Sequence, residues 1–240
     1  MKLCSKAILV AFLAFFSACS LDEGDPAALL IFSEDFDFNE GEHAWLHGFA
    51  DYPADPEDST LFELRYAYTD ELPDELPGSK LTKRSIMLSG KNLNKDLFMY
   101  LKKEIVGLKP DTDYTLTFKV ELASDLSSTM AGDVGSVYLK AGATTAEPKS
   151  VIAGGYHVMN IDKGNQDASG LDMVSLGDIA SPTPSTGYTL ISRNNIMANS
   201  RYVARTNADG TLWLIIGTDS NLEGTTKVFF TRVSIVFSAS

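Results

Sequence analysis

Two histidines, His43 and His47, stand four residues apart with Trp45 between them. On a helix or a strand that spacing puts both imidazoles on one face, where they could share a metal ion. Ala44 follows His43, so the glutamate of a metalloprotease motif is missing. Without a metal, both read as surface or loop histidines. Three other stretches offer the hard oxygen ligands that calcium prefers. The run Asp219-Ser220-Asn221-Leu222-Glu223-Gly224 sets oxygens at Asp219, Asn221 and Glu223 ahead of a glycine. Phe230 stands where the closing glutamate of such a loop belongs. The stretch 160–167 carries Asp162 beside Gly164, and the first apolar run carries Glu34, Asp35 and Asp37. Each also reads as an ordinary polar turn or strand surface. A structural calcium is the one candidate cofactor.

Aromatic side chains supply a second chemistry. A flat ring can stack on the C–H face of a sugar while amides and carboxylates read its hydroxyls. Trp45, Tyr52 and Tyr156, with Asn165 and Gln166 as polar partners, are the chosen candidates. Tyr66, Tyr68, Tyr100, Asn92 and Asn94 are further ones. Trp213 lies inside an apolar run and is expected in the core. No catalytic residue is assigned. The chain has no G-x-S-x-G elbow, no P-loop and no G-x-G-x-x-G. With 32 acidic residues nothing selects a pair for glycoside hydrolysis, so a hydrolase would rest on an unmarked carboxylate pair.

Charge and cysteines narrow the classes further. The 240 residues carry 20 basic and 32 acidic side chains, a formal net charge of −12. A chain this acidic lacks the basic stripe that nucleic-acid binding requires. Its two cysteines are Cys4 and Cys19. Lys2 and Lys6 precede the ten-residue apolar run Ala7 to Phe16, too short to span a bilayer. Ser17, Ala18 and Cys19 follow. This order resembles the signal and lipobox of bacterial lipoproteins, with Phe16 where that family prefers leucine. The resemblance implies a signal peptide over residues 1–18 and a lipidated Cys19 that anchors the chain to a membrane. Ser20 then resembles the outer-membrane sorting signal, while Asp22, Glu23 and Asp25 resemble a surface-export signal. The expected location is the cell envelope, on an outer membrane, at its periplasmic face or the cell surface. Loss of Cys4 with the signal and lipidation of Cys19 would leave no thiol for disulfides, zinc or nucleophilic catalysis.

These candidates must be positioned by strands. Residues 19–28 read as a lipidated cysteine and polar tether, and 29–240 as one domain. Short runs rich in β-branched and aromatic residues alternate with Pro, Gly and Asp turns. Asp113 to Leu122 alternates cleanly, with Tyr114, Leu116, Phe118, Val120 and Leu122 on one face. Other strands are read at Leu29–Phe38, Leu61–Tyr68, Ser85–Leu88, Leu97–Ile105, Ser136–Leu139, Tyr156–Ile161, Tyr188–Ser192, Tyr202–Thr206, Thr211–Gly217 and Val228–Phe237. No window shows a helical period. Residues 50–58, 70–83, 124–132 and 160–170 read as long loops. The prediction is an all-β sandwich or barrel.

The run Val106 to Phe118, with Lys109-Pro110-Asp111 turning into Tyr114, resembles two families. One is the fibronectin type III sandwich. The other is the galactose-binding-like jelly roll, which includes many carbohydrate-binding modules. Length favours the second, as does the closing pair of long strands. The chain as a whole resembles a group of bacterial lipoproteins. The resemblance implies a single jelly-roll β-sandwich that binds glycans without catalysis. An adhesin-like or structural role, with an envelope protein as partner, is the competing expectation.

Overall fold

The computed structural model describes residues 31–72, 84–127, 136–181 and 187–239. The expected signal, tether and Cys19 lie outside these residues, as does most of 70–83 and 124–132.

The chain forms two antiparallel sheets packed face to face, a β-sandwich of jelly-roll type. The first sheet contains β1 (Ile31–Asp37), β4 (Arg65–Thr69), β5 (Ser85–Asn92), β7 (Asp113–Ser124), β12 (Thr189–Asn194), β13 (Tyr202–Arg205) and β15 (Gly224–Ala239). The second runs in the order β11 (Met173–Asp178), β8 (Val137–Thr144), β14 (Leu212–Ser220), β6 (Leu97–Ile105), β2 (Leu46–Ala50). A small third sheet orders β3 (Tyr52–Pro53), β10 (Tyr156–Met159) and β9 (Ser150–Ala153).

The period-two pattern explains the core. The five alternate residues of β7 named from sequence are all buried. They meet Leu97, Met99 and Leu101 of β6, Leu139 and Ala141 of β8, and Leu212, Leu214 and Ile216 of β14. In β15 the apolar parity breaks: Val228 and Phe230 point inward, then Val233, Ile235 and Phe237. A bulge between Phe230 and Arg232 absorbs the extra residue and returns the side chains to the core.

Several local expectations are corrected. Residues 56–60 form a short helix, α1 (Pro56–Thr60). Asp55 caps it, accepting the Glu57 and Asp58 amides at 2.9 and 3.4 Å, with Pro56 at the first position. The strand expected over Leu61–Tyr68 therefore starts only at Arg65. Strands β2, β3, β9 and β11 were not read from sequence. Trp45 is also corrected. It is 3% exposed and meets Phe36 and Phe38 edge-on at 5.5 and 6.1 Å. It is a core residue and not a stacking platform.

Candidate functional site

The second sheet buries its outer face as well as its inner one. Phe98, Tyr100, Ile215, Ala50 and Met173 form a second apolar cluster there, with Met159 and Ile161 against it. The cover is the long connection from β8 to β11. Gly142 clears space for this cover and Gly48 for the Tyr100 ring of the neighbouring strand. A Cβ on Gly142 would lie 1.9 Å from the Asp172 carbonyl oxygen, and one on Gly48 would lie 2.3 Å from the Tyr100 ring. Residues 160–172 form a strap closed on itself. Asp162 accepts the amides of Gly164 and Leu171, both at 3.0 Å, and Asp172 accepts the Asp162 amide at 2.8 Å. Those amide bonds hold the Asp162 carboxyl below its usual range. Asp162 thus staples the strap.

The strap aims Lys163 down at the sheet. Its Nζ lies 2.8 Å from Asp219 Oδ2 and 3.0 Å from Asp51 Oδ2. Lys140, fully buried, sits 3.2 Å from the same Asp219 oxygen and donates to the Lys163 and Ala168 carbonyls at 2.8 and 2.9 Å. Gln166 donates its amide N–H to Asp219 at 3.1 Å and its side-chain Nε2 to Lys95 O at 3.1 Å. Asn94 Nδ2 donates to Asp51 O at 3.1 Å. Three segments therefore converge on Asp219: the β2–β3 turn with Asp51, the β5–β6 loop with Asp96, and the strap. Asp51 holds a φ of 65° at that turn and donates its N–H to His157 O at 2.6 Å.

Burial sets the electrostatics. It pushes the Asp51 carboxyl up against the pull of Lys163. It pushes Asp96 up to about 6, helped by the Asp51 charge. Burial lowers Lys140, partly offset by Asp219. Burial also works against the charge on Lys163, but Asp219 and Asp51 outweigh it and its pKa stands above the ordinary lysine value. A hydrolytic acid/base pair is recognised by carboxyls pushed apart in pKa. Here Asp51 and Asp96 move the same way.

Beside this centre stands an aromatic pair. Tyr52 stacks on His157 at 4.5 Å with the rings 18° apart. The two residues face each other across β3 and β10. Tyr156 pairs with Pro53 and points to the opposite face of that small sheet, 45% exposed.

The residues singled out from sequence are therefore only partly gathered. Tyr52, Asn165 and Gln166 lie on segments that meet at Asp219, and Tyr156 lies on the reverse face. The calcium triplet of the last hairpin is dispersed. Asp219 is buried between lysines, Asn221 accepts the Ser136 amide through Oδ1, and exposed Glu223 lies 3.8 Å from Lys95. Asp35 and Asp37 face Arg232, whose guanidinium donates to them at 2.9 and 2.5 Å. The histidines diverge as well. His43 Nε2 lies 2.8 Å from Asp37 O, while His47 stacks on Tyr66 at 3.8 Å, and Tyr66 donates to Glu42. Tyr68 donates to Phe38 O at 2.9 Å, and Asn92 Nδ2 donates to Ser220 O at 2.8 Å. Trp213, expected inside, projects from the outer face half-buried, with the Lys102 ammonium 5.7 Å from its ring. Sequence reading missed Lys140, Lys163, Asp51 and Asp96. The oxygen-rich run around Lys163 was the available signal.

No protein-family model matches the chain, and no curated protein matches its sequence. Among solved structures, it is similar to TmCBM27, a carbohydrate-binding module described for specific mannan recognition. Identity is 11% with a TM-score of 0.39, over 88% of this chain and 98% of that one. It is similar to the K1 cleaved adhesin domain of Lys-gingipain from Porphyromonas gingivalis, at 12% identity and a TM-score of 0.39, over 85% and 97%. It is also similar to TmCBM61, solved with β-1,4-galactotriose, at 9% identity and a TM-score of 0.35, over 82% and 92%. Likeness of this degree is one of loose architecture. What this chain does must be argued from its own side chains.

Proposed function

We propose that the protein is a membrane-anchored envelope lipoprotein that binds glycans without catalysis. The carrying observation is the Tyr52–His157 stack. It offers a partly exposed aromatic surface next to the turn where the Asn94 amide donates to Asp51 O, with exposed Asn165 on the strap that meets this turn. Stacking on a sugar face with hydroxyls read by adjacent amides and carboxylates is the chemistry such a surface performs. The anchor follows from the run that ends at Cys19 and would place this surface in the cell envelope, on an outer membrane. A glycan array with the full chain in detergent micelles tests the reading. Binding to a defined sugar class, lost in Tyr52→Ala, is expected. A folded chain that binds no glycan overturns it.

One observation favours a second reading, a protein-interaction module. Ile196 and Met197 stand 70% and 81% exposed on the turn after β12. Paired exposed apolar side chains suit a protein partner better than a sugar. Crosslinking in envelope preparations tests this reading, since Met197→Asp would remove the adduct.

A further inference from the structure

The strap and the sheet beneath it leave three acceptor oxygens without a donor: Asp96 Oδ1, Asp219 Oδ1 and Gln166 Oε1. All three atoms are buried, and the Asp219 side chain is 0% exposed. A carboxylate or amide oxygen can only accept, and burying one without a partner is costly. The local donors are committed elsewhere. The Lys140 ammonium is shared among Asp219 Oδ2 and the carbonyls of Lys163 and Ala168. The Lys163 ammonium lies on Asp219 Oδ2 and Asp51 Oδ2. Gln166 spends its amide hydrogens on Lys95 O and Asp219 Oδ2. The charge is unbalanced too: three carboxylates face two ammoniums.

Geometry supplies the rest. Asp51, Asp96 and Asp219 each bring one oxygen within 4.8 Å of the other two. A single ion with oxygen ligands at 2.3–2.6 Å spans that separation. Neither a thiolate nor an imidazole belongs to the group, so the donor set is hard and all oxygen. The donors come from a turn, a loop and a strand, an irregular cage that suits calcium better than octahedral magnesium.

We propose that Asp51, Asp96 and Asp219, with the Gln166 amide oxygen, form a calcium site that pins the strap and the β2–β3 turn to the second sheet. It differs from the three acidic stretches named from sequence and shares only Asp219 with them. It does not depend on glycan binding.

The test is calorimetric titration of calcium chloride into the EDTA-treated full chain in detergent micelles, without sugar. Thermal denaturation runs alongside. One saturable site and a raised Tm are expected. Asp96→Asn and Gln166→Ala should each weaken binding at least tenfold while remaining folded in EDTA. Glu223→Gln, in the dispersed hairpin triplet, should bind as wild type. The absence of saturable binding, wild-type affinity in either folded variant, or loss of binding in Glu223→Gln overturns the proposal.

Discussion

Lys163 Nζ meets Asp219 Oδ2 at 2.8 Å across 56 residues of sequence, and the aspartate side chain has no exposed surface. The pair ties the strap to β14, the central strand of the second sheet. Removing Lys163 leaves Asp219 with Lys140 alone and takes the ammonium from the largely buried Asp51, and an uncompensated buried charge costs about 3–5 kcal/mol. Lys163→Met should therefore lose about that much in urea unfolding. Hydrogen exchange should locate the loss first in residues 160–172.

Trp45 and Tyr52 separate core from surface. Trp45→Ala empties a site bounded by Phe36 and Phe38 and should cost about 3–5 kcal/mol. Tyr52→Ala removes half of a partly exposed stack. It should cost less in stability while abolishing glycan retention. Thermal melts and the glycan array, run on both variants, check the split.

At Gly142 of β8 the end of the strap lies directly against the sheet. A methyl group there would meet Asp172 O at 1.9 Å. Gly142→Ala should destabilise by roughly 1–3 kcal/mol, the range for overpacking. The expected signature is faster exchange of the Asp172 and Leu171 amides with the sandwich core unchanged.

Tyr202 ties the edge of the first sheet to the strap. Its hydroxyl lies 2.7 Å from Ala143 O, 2.8 Å from Asp172 O and 3.0 Å from the Ala143 N–H. Burial pushes this phenol up to about 12. The folded state holds the proton more tightly than the unfolded chain, so the contribution is complete below about pH 10 and is lost as pH rises toward 12. About 3 kcal/mol should disappear over that window, two pKa units at 1.36 kcal/mol each. Tyr202→Phe should lose about 1–3 kcal/mol at neutral pH and show a correspondingly smaller step in urea melts taken across the window, since Tyr188 is also pushed up to about 12.

The proposed anchor is tested at Cys19. Cys19→Ala should abolish labelling by a radioactive fatty acid and move the chain from the membrane pellet to the soluble fraction. Unchanged labelling would rule out lipidation at that residue.

The alternation of Tyr114, Leu116, Phe118, Val120 and Leu122 determined one core strand by itself, because a two-residue period admits one inward face. The turn residues between such runs likewise determined an all-β fold, and only the packing of the two sheets made it a sandwich rather than a barrel. The break of parity at Thr231 was written in the sequence, but only pairing with β7 made it a bulge. Trp45 carried no local mark of burial: its environment is Phe36 and Phe38, brought over it by strand pairing. Trp213 was misplaced for the converse reason, since β14 is apolar on both faces and its neighbours do not reveal which side the strap leaves open. The charged centre was the least legible. Asp219 was read with Asn221 and Glu223 instead, and Lys140, Lys163, Asp51 and Asp96 carried no mark of their own in the sequence. They became a site only when the strap crossed the sheet and withdrew them from water, where a charge must find a partner.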